Sequence, residues 1–193
     1  MIILAMQKKA LNIPDAHVNY IEAFELLSTY GVNREAVFVT RNSPDTDILF
    51  GVKSVLDKSP AMLSPNPYRL IHVGRLVGWK RVDMLIRAFA SVQKKYASAE
   101  LIIIGVGPED EALKQLAIDL NLESSVIFTG GIYDPKALGQ YFMSSSLYVL
   151  AGMGGISIND AMCFGLPVLY LFNWFTCDAG RSNAGPYGST KPH

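Results

Sequence analysis

From residue 69 onward, two hydrophobic periods alternate along the chain. Short apolar runs at 70–73, 101–104, 126–128, 147–150 and 167–171 read as strands. Between them the spacing changes to three and four residues, which predicts helices over 82–92, 109–120, 136–143 and 156–163. In the first of these helices Val82, Leu85, Ile86 and Phe89 share one face. The run Leu101-Ile-Ile-Ile104 shows no polar alternation, as a strand covered on both faces requires. Five strands alternating with four helices predict an α/β fold, a doubly wound parallel sheet joined by right-handed crossovers. Such sheets bind ligands beyond the carboxyl ends of the strands, where strand order reverses. The loops after Val73, Ile104, Phe128 and Leu150 are therefore the candidate site.

The first third of the chain follows a different pattern. Val18, Ile21, Phe24 and Leu27 fall at helical spacing and predict a helix over 13–30, stopped by Gly31. Residues 36–40 read as a short strand. Asn42-Ser-Pro-Asp45 is turn chemistry, and the Pro, Ser and Asn content up to residue 66 predicts a linker over 42–66. The expected organisation is a remnant domain at 1–41, that linker, a principal domain at 67–172 and an irregular tail at 173–193.

Charge and composition exclude several functions. Seventeen basic residues balance seventeen acidic ones, so no bulk field draws nucleic acid. An anion must be held by local geometry instead. Cys163 and Cys177 have neither metal-ligand nor disulfide-framework spacing, which points to a reducing, cytoplasmic setting. The apolar start at 1–6 is too short to span a bilayer. Its charges at Lys8 and Lys9 follow the apolar run, against a secretory signal, so no transmembrane segment is expected.

Three loops compete to hold an anion. Gly105-Val-Gly107-Pro108 fails the dinucleotide fingerprint, because the third glycine would fall on Asp110. The helix behind it opens with Glu109, Asp110 and Glu111, which would repel phosphate. The loop after Val73 has the opposite character: beyond Gly74 and Arg75, Lys80 and Arg81 lie at a helix start, where cations cost ~0.3–1 kcal/mol each unless an anion offsets them. Arg81 alone reads as a solvated charge; Arg75 and Lys80 read as ligand contacts. The third loop, Gly152-Met-Gly154-Gly155-Ile156-Ser157, lets backbone approach a ligand and opens a helix with no acid in its first turn. Asp160, one turn in, is placed to accept hydrogen bonds from sugar hydroxyls.

Taken together, Val73-Gly-Arg-Leu76 with Lys80-Arg-Val-Asp83, Ile104-Gly-Val-Gly-Pro108, Phe128-Thr-Gly130 and Asp160-Ala-Met-Cys-Phe-Gly-Leu-Pro-Val168 resemble the C-terminal, donor-binding domain of GT-B glycosyltransferases of family 4. The resemblance runs from residue 69 to about residue 171, and residues 20–45 look like the end of the N-terminal domain and the interdomain linker. It implies a Rossmann-like GT-B C-terminal domain lacking its last strand and helices. It also implies a retaining hexosyltransferase, metal-independent and without a cofactor, that uses a UDP- or GDP-linked sugar in polysaccharide or glycan assembly. Arg75 and Lys80 would meet the departing diphosphate as the catalytic cations. Gly74, Gly130 and Ile132 would line the donor, with backbone at 130–132 along the nucleobase. Gly154, Gly155, Ile156 and Ser157 would present amides to the distal phosphate and sugar. Asp160 would stand where the family has the second glutamate of its Glu-x7-Glu motif, on the ribose. The sugar or lipid-linked acceptor would be held by the missing N-terminal domain, and the full-length enzyme would work in the cytoplasm, peripheral at the inner face of the membrane.

The chain departs from the family pattern at three positions. Gly152 stands where the motif has its first glutamate, Asp160 is one methylene shorter than glutamate, and Ala151 replaces a frequent proline. An isolated fragment of this kind is expected to bind donor and catalyse little. A non-catalytic nucleotide-sugar or partner-binding module is the alternative that Gly152 supports. A sugar-nucleotide epimerase relative is a third; it needs acid/base residues, and His17 and His72 are the only histidines before the tail.

Overall fold

The structure, a computed structural model, describes residues 16–18, 33, 35, 37–39, 44–59, 63–64 and 66–171. It divides into a unit over Met1–Pro44 and a unit over Asp45–His193. In the first unit, strand β1 (Ala16–Val18) pairs in parallel with β2 (Val37–Val39), with His17 opposite Phe38. β2 falls where a strand was expected. β1 corrects the helix read over 13–30, whose remaining residues lie outside the described set. Of that apolar spacing only Val18 falls in β1, and pairing with a partner strand decides for the extended form there.

The second unit opens with a helix inside the stretch read as linker. Helix α1 (Thr46–Leu56) is capped by Asp45, whose side chain accepts hydrogen bonds from the amides of Asp47 and Ile48 at 3.1 and 3.2 Å. Leu49 and Leu56, two turns apart, are buried in the core, and Lys53 pairs with Asp57 along the exposed side. The Ser-Pro-Asp signal was read as a turn; it is equally an N-cap, and only the packing of Leu49 and Leu56 shows which.

The rest alternates as expected: β3 (Arg69–Val73), α2 (Val82–Lys95), β4 (Glu100–Ile104), α3 (Asp110–Asp119), β5 (Val126–Gly130), α4 (Pro135–Met143), β6 (Leu147–Leu150), α5 (Ser157–Cys163) and β7 (Val168–Tyr170). The five strands are all parallel in the order β5-β4-β3-β6-β7. Order reverses beside β3, so the crevice between the loops after β3 and β6 is the switch point of a doubly wound sheet.

Two apolar layers flank the sheet. Leu101 and Ile103 of β4 face a cluster with Val82, Leu85, Ile86, Phe89 and Leu113, beneath α2 and α3. Ile102 and Ile104 face the opposite cluster with Leu49, Leu56, Phe142, Ala161 and Phe164, beneath α1, α4 and α5. This period-two division explains the unbroken Leu-Ile-Ile-Ile run, because each face has its own helical cover. Arg69, buried at the start of β3, pairs with Glu100 at 2.7 Å and donates to the carbonyls of Ser64 and Ser144. Its charge and donors are thus largely satisfied at the amino ends of the strands, far from the crevice.

Candidate functional site

The loops after β3 and β4 are fastened to each other by backbone. Gly74 N donates to Ile104 O, Leu76 N to Val106 O and Glu109 N to Leu76 O. A Cβ at Gly105 would fall on the Gly74 carbonyl, and one at Gly107 on the Leu76 carbonyl. These two glycines therefore serve close packing between loops rather than phosphate binding. Two charged residues behind them are used internally. Arg81, at φ 52°, pairs with Asp83 at 3.1 Å, and Asp110 pairs with Lys114 at 2.9 Å.

Lys80 ends a short 3-10 turn, Gly78–Lys80, and reaches the glycine turn after β6. Its Nζ donates to the carbonyls of Met153 and Gly154, each at 2.9 Å. No carboxylate pairs with it among the described residues, and burial pulls its ammonium below the ordinary lysine range. Gly155 leaves room for this approach, since a Cβ there would lie 3.0 Å from Nζ. Met153 N donates back to Trp79 O at 2.9 Å, so the two loops are stitched both ways. At Gly152 the stitching is tightest: a Cβ would fall on the carbonyls of Trp79 and Lys80.

The glycine turn is also anchored from the far side. Ser157 Oγ donates to the Val73 carbonyl at 2.9 Å and lies 2.7 Å from Tyr148 Oη. The Tyr148 phenol, pushed up to about 12 by burial, stays neutral; with Ser157 donating to Val73 O, its one proton is shared between Ser157 Oγ and Val73 O. The Ser157 hydroxyl is thus consumed in positioning α5, while the amides of Gly155, Ile156 and Ser157 find no acceptor among the described residues. Asp160 lies within the first turn of α5, which corrects the expectation that this turn holds no acid. Its carboxylate is half-buried without a hydrogen-bond or ion-pair partner among the described residues, and burial raises its pKa above the ordinary value.

A cleft of about 330 Å³ opens across the carboxyl edge of the sheet. It runs from Asp160 past Val73, Gly74 and Arg75, then Gly105 and Val106, to Gly131, Ile132 and Tyr133. Arg75 is exposed and, like Asp160, unpaired among the described residues. Gly74 would tolerate a methyl, with its nearest neighbours at 3.6 and 3.9 Å, so chain packing does not demand a glycine there. Gly130, at φ 75°, turns the chain out of β5 toward Ile132. The structure therefore gathers Arg75, Gly74, Ile132 and Asp160 along one cleft, and sets Lys80 with Gly154, Gly155, Ile156 and Ser157 at the adjoining turn. Sequence reasoning missed Tyr133, Val106 and Leu138 as lining residues, because a tyrosine before Asp134-Pro135 reads as helix-entry chemistry. Among the described residues no group of three or more His, Cys, Asp or Glu is placed to hold a metal ion, and no helix is long and apolar enough to cross a membrane.

His72 lies beneath Gly74, fully buried in β3. Its Nδ1 meets the Val149 carbonyl at 3.1 Å and must carry the proton, which leaves Nε2 as a buried acceptor without a partner. It cannot reach a substrate as acid or base. Burial first, with the nearby Lys80 charge, lowers its pKa to about 4, against the hydrogen bond to Val149. The unfolded chain takes up this proton near pH 6.5 and the folded chain only near 4. Folding stability should therefore fall as pH drops through that window, by up to about 3 kcal/mol. Asp160 opposes this, since its raised pKa makes protonation in the fold favourable. Urea unfolding at pH 7 and pH 4.5 measures the difference, and His72→Gln should flatten it.

Comparison with known proteins agrees with this architecture. The family of Glycosyl transferases group 1 matches residues 57–171. An uncharacterised glycosyltransferase of Haemophilus influenzae is 35% identical over 114 residues, covering 58% of this chain and 30% of its own length. A GDP-mannose-dependent alpha-(1-6)-phosphatidylinositol monomannoside mannosyltransferase of Mycobacterium tuberculosis is 32% identical over 126 residues, with 61% and 30% covered. The chain thus spans about 30% of the length of these curated relatives. Among solved structures, the pneumococcal O-GlcNAc transferase GtfA, in complex with UDP and GlcNAc, superposes with TM-score 0.63 at 19% identity, over 86% of this chain and 31% of that one. Anabaena Alr3699/HepE, in complex with UDP and glucose, gives 0.57 at 23% identity, over 84% and 47%. These likenesses establish the shared GT-B fold, and with a match over more than half its residues this chain belongs to the Glycosyl transferases group 1 family.

Proposed function

We propose that the second unit is the donor half of a glycosyltransferase and binds a nucleotide-diphosphate sugar in the cleft over β3. One observation carries this reading: Arg75 and half-buried Asp160, both unpaired among the described residues, line the same cleft. A carboxylate that burial disfavours and no cation neutralises is suited to accepting hydrogen bonds from ligand hydroxyls. Arg75, Lys80 and the amides at 155–157 supply positive potential for a diphosphate. In transfer, the bond between the sugar's anomeric carbon and the diphosphate breaks, a bond from that carbon to an acceptor hydroxyl oxygen forms as the hydroxyl gives up its proton, and these groups stabilise the charge gathering on the leaving diphosphate. The reading assigns retention of configuration and no metal or cofactor to the enzyme. A UDP- or GDP-linked hexose is supported by relatives and neighbours named for GDP-mannose and UDP. A lipid-linked or sugar acceptor, met in the cytoplasm at a membrane face, is supported by relatives named as a phosphatidylinositol mannoside mannosyltransferase and an alpha-monoglucosyldiacylglycerol synthase.

The experiment is a thermal melt of the full chain with millimolar UDP or GDP. A ligand of the native state raises the melting temperature by mass action, and absence of a shift with either overturns the reading. The closed space at Gly152 favours a second version, binding without transfer, because no carboxylate can reach the donor sugar from there. Joined to the acceptor domain of a family member, the chain would then bind donor and release no sugar.

A further inference from the structure

Tyr133 is the most exposed large hydrophobic residue described, at 84%, and it lines the same cleft as Arg75 and Asp160. Its position has a structural explanation to be weighed first. Asp134 caps α4 through Ala137 N at 2.9 Å, and Pro135 follows. Tyr133 is therefore the residue before the cap, where an apolar side chain commonly staples onto the fourth helical position, Leu138. A stapled ring is covered by its partner. At 84% exposure this ring is not, so the staple does not account for where it lies.

The ring leans over Gly131: a Cβ built there would lie 2.9 Å from the Tyr133 hydroxyl and 3.0–3.1 Å from ring carbons. Residue 131 thus adds no side chain between the ring and the backbone. Beside it, Val106 is 48% exposed and Ile132 and Leu138 line the wall, which makes this the apolar end of the cleft. Asp160 follows β6 and Tyr133 follows β5, at opposite ends of a row of four adjacent strands. The cleft thus carries a carboxylate for hydroxyls, a cation for phosphate and an open aromatic face.

We infer that Tyr133 is a base-stacking residue, the shelf on which the nucleobase of the donor lies, with no side chain at Gly131 to crowd it. The inference rests on the donor-site reading and deepens it. Stacking on a tyrosine face tolerates any base, so the shelf contributes affinity for the nucleoside part, and selection among bases falls to the neighbouring backbone.

Calorimetric titration of the full chain with UDP, GDP and inorganic pyrophosphate tests it, using Tyr133→Ala and Tyr133→Phe. Tyr133→Ala should weaken both nucleotides about tenfold and leave pyrophosphate unchanged, while Tyr133→Phe should stay within about twofold of the parent. Equal nucleotide affinity in Tyr133→Ala overturns the inference and leaves the donor-site reading standing. So does a matching loss for pyrophosphate, which would mark collapse of the loop. Failure of the unaltered chain to bind any nucleotide overturns both.

Discussion

Gly152→Glu, which restores the acidic residue that the family motif has here, should destabilise the second unit by about 3 kcal/mol or more and lower its melting temperature by roughly 10 °C. The position has no space for a side chain, because the carbonyls of Trp79 and Lys80 lie where its Cβ would be. Overpacking against a flexible side chain can be relieved by a rotamer change; against two peptide groups it cannot. Those peptides belong to the turn that delivers Lys80, and Met153 N is already bonded to Trp79 O. Glutamate at this position would therefore lift the lysine away from the glycine turn as well. Gly154→Ala is the control: its Cβ would meet nothing nearer than 3.8 Å and should cost under about 1 kcal/mol. Paired thermal melts of the two variants read the contrast. Equal, small losses would mean that the turn yields and that Gly152 is not closed to a carboxylate.

The second large effect is expected at Asp160. Asp160→Ala should weaken UDP and GDP binding roughly 10- to 100-fold and leave stability within about 0.5 kcal/mol of the parent. The two halves of this expectation have one cause. The carboxylate is half-buried, raised in pKa by desolvation, and unpaired among the described residues, so the empty fold gains little from it. Alanine also suits a helix better than aspartate, which offsets the loss of a favourable charge in the first turn. A half-buried charge from which folding gains little is the signature of a binding role. Urea unfolding with parallel calorimetry measures both quantities. A stability loss without a change in affinity would assign Asp160 to the fold instead.

Much of this could be read from residues alone. The strands and helices from residue 69 onward were legible because each carries a clean period, and Leu101-Ile-Ile-Ile104 announced a sheet covered on both faces. The candidate cations were legible because their charges fit poorly with a helix start, and Asp160 because it follows a glycine turn in a loop expected to face a ligand. What was not legible depends on packing between distant segments. Thr46–Leu56 looked like linker because Leu49 and Leu56 show their purpose only once α4 and α5 stand beside them. Gly105 and Gly107 looked like a turn, whereas their need is set by the carbonyls of Gly74 and Leu76, thirty residues earlier. Lys80 was read as facing a diphosphate, and its bonds to Met153 and Gly154 add a competitor that any phosphate must displace or join. Tyr133 was overlooked because exposure cannot be read from a helix-entry pattern.

The central claim is that the crevice beside β3 is a seat for a nucleoside diphosphate. Calorimetric titration of the full chain with UDP and GDP, beside uridine and guanosine, tests it most directly. The account predicts that the diphosphates bind at least about tenfold more tightly than their nucleosides, with an affinity that falls as salt is raised. Nucleosides binding as well as diphosphates, or no heat from either diphosphate at millimolar concentration with a folded sample, would contradict it.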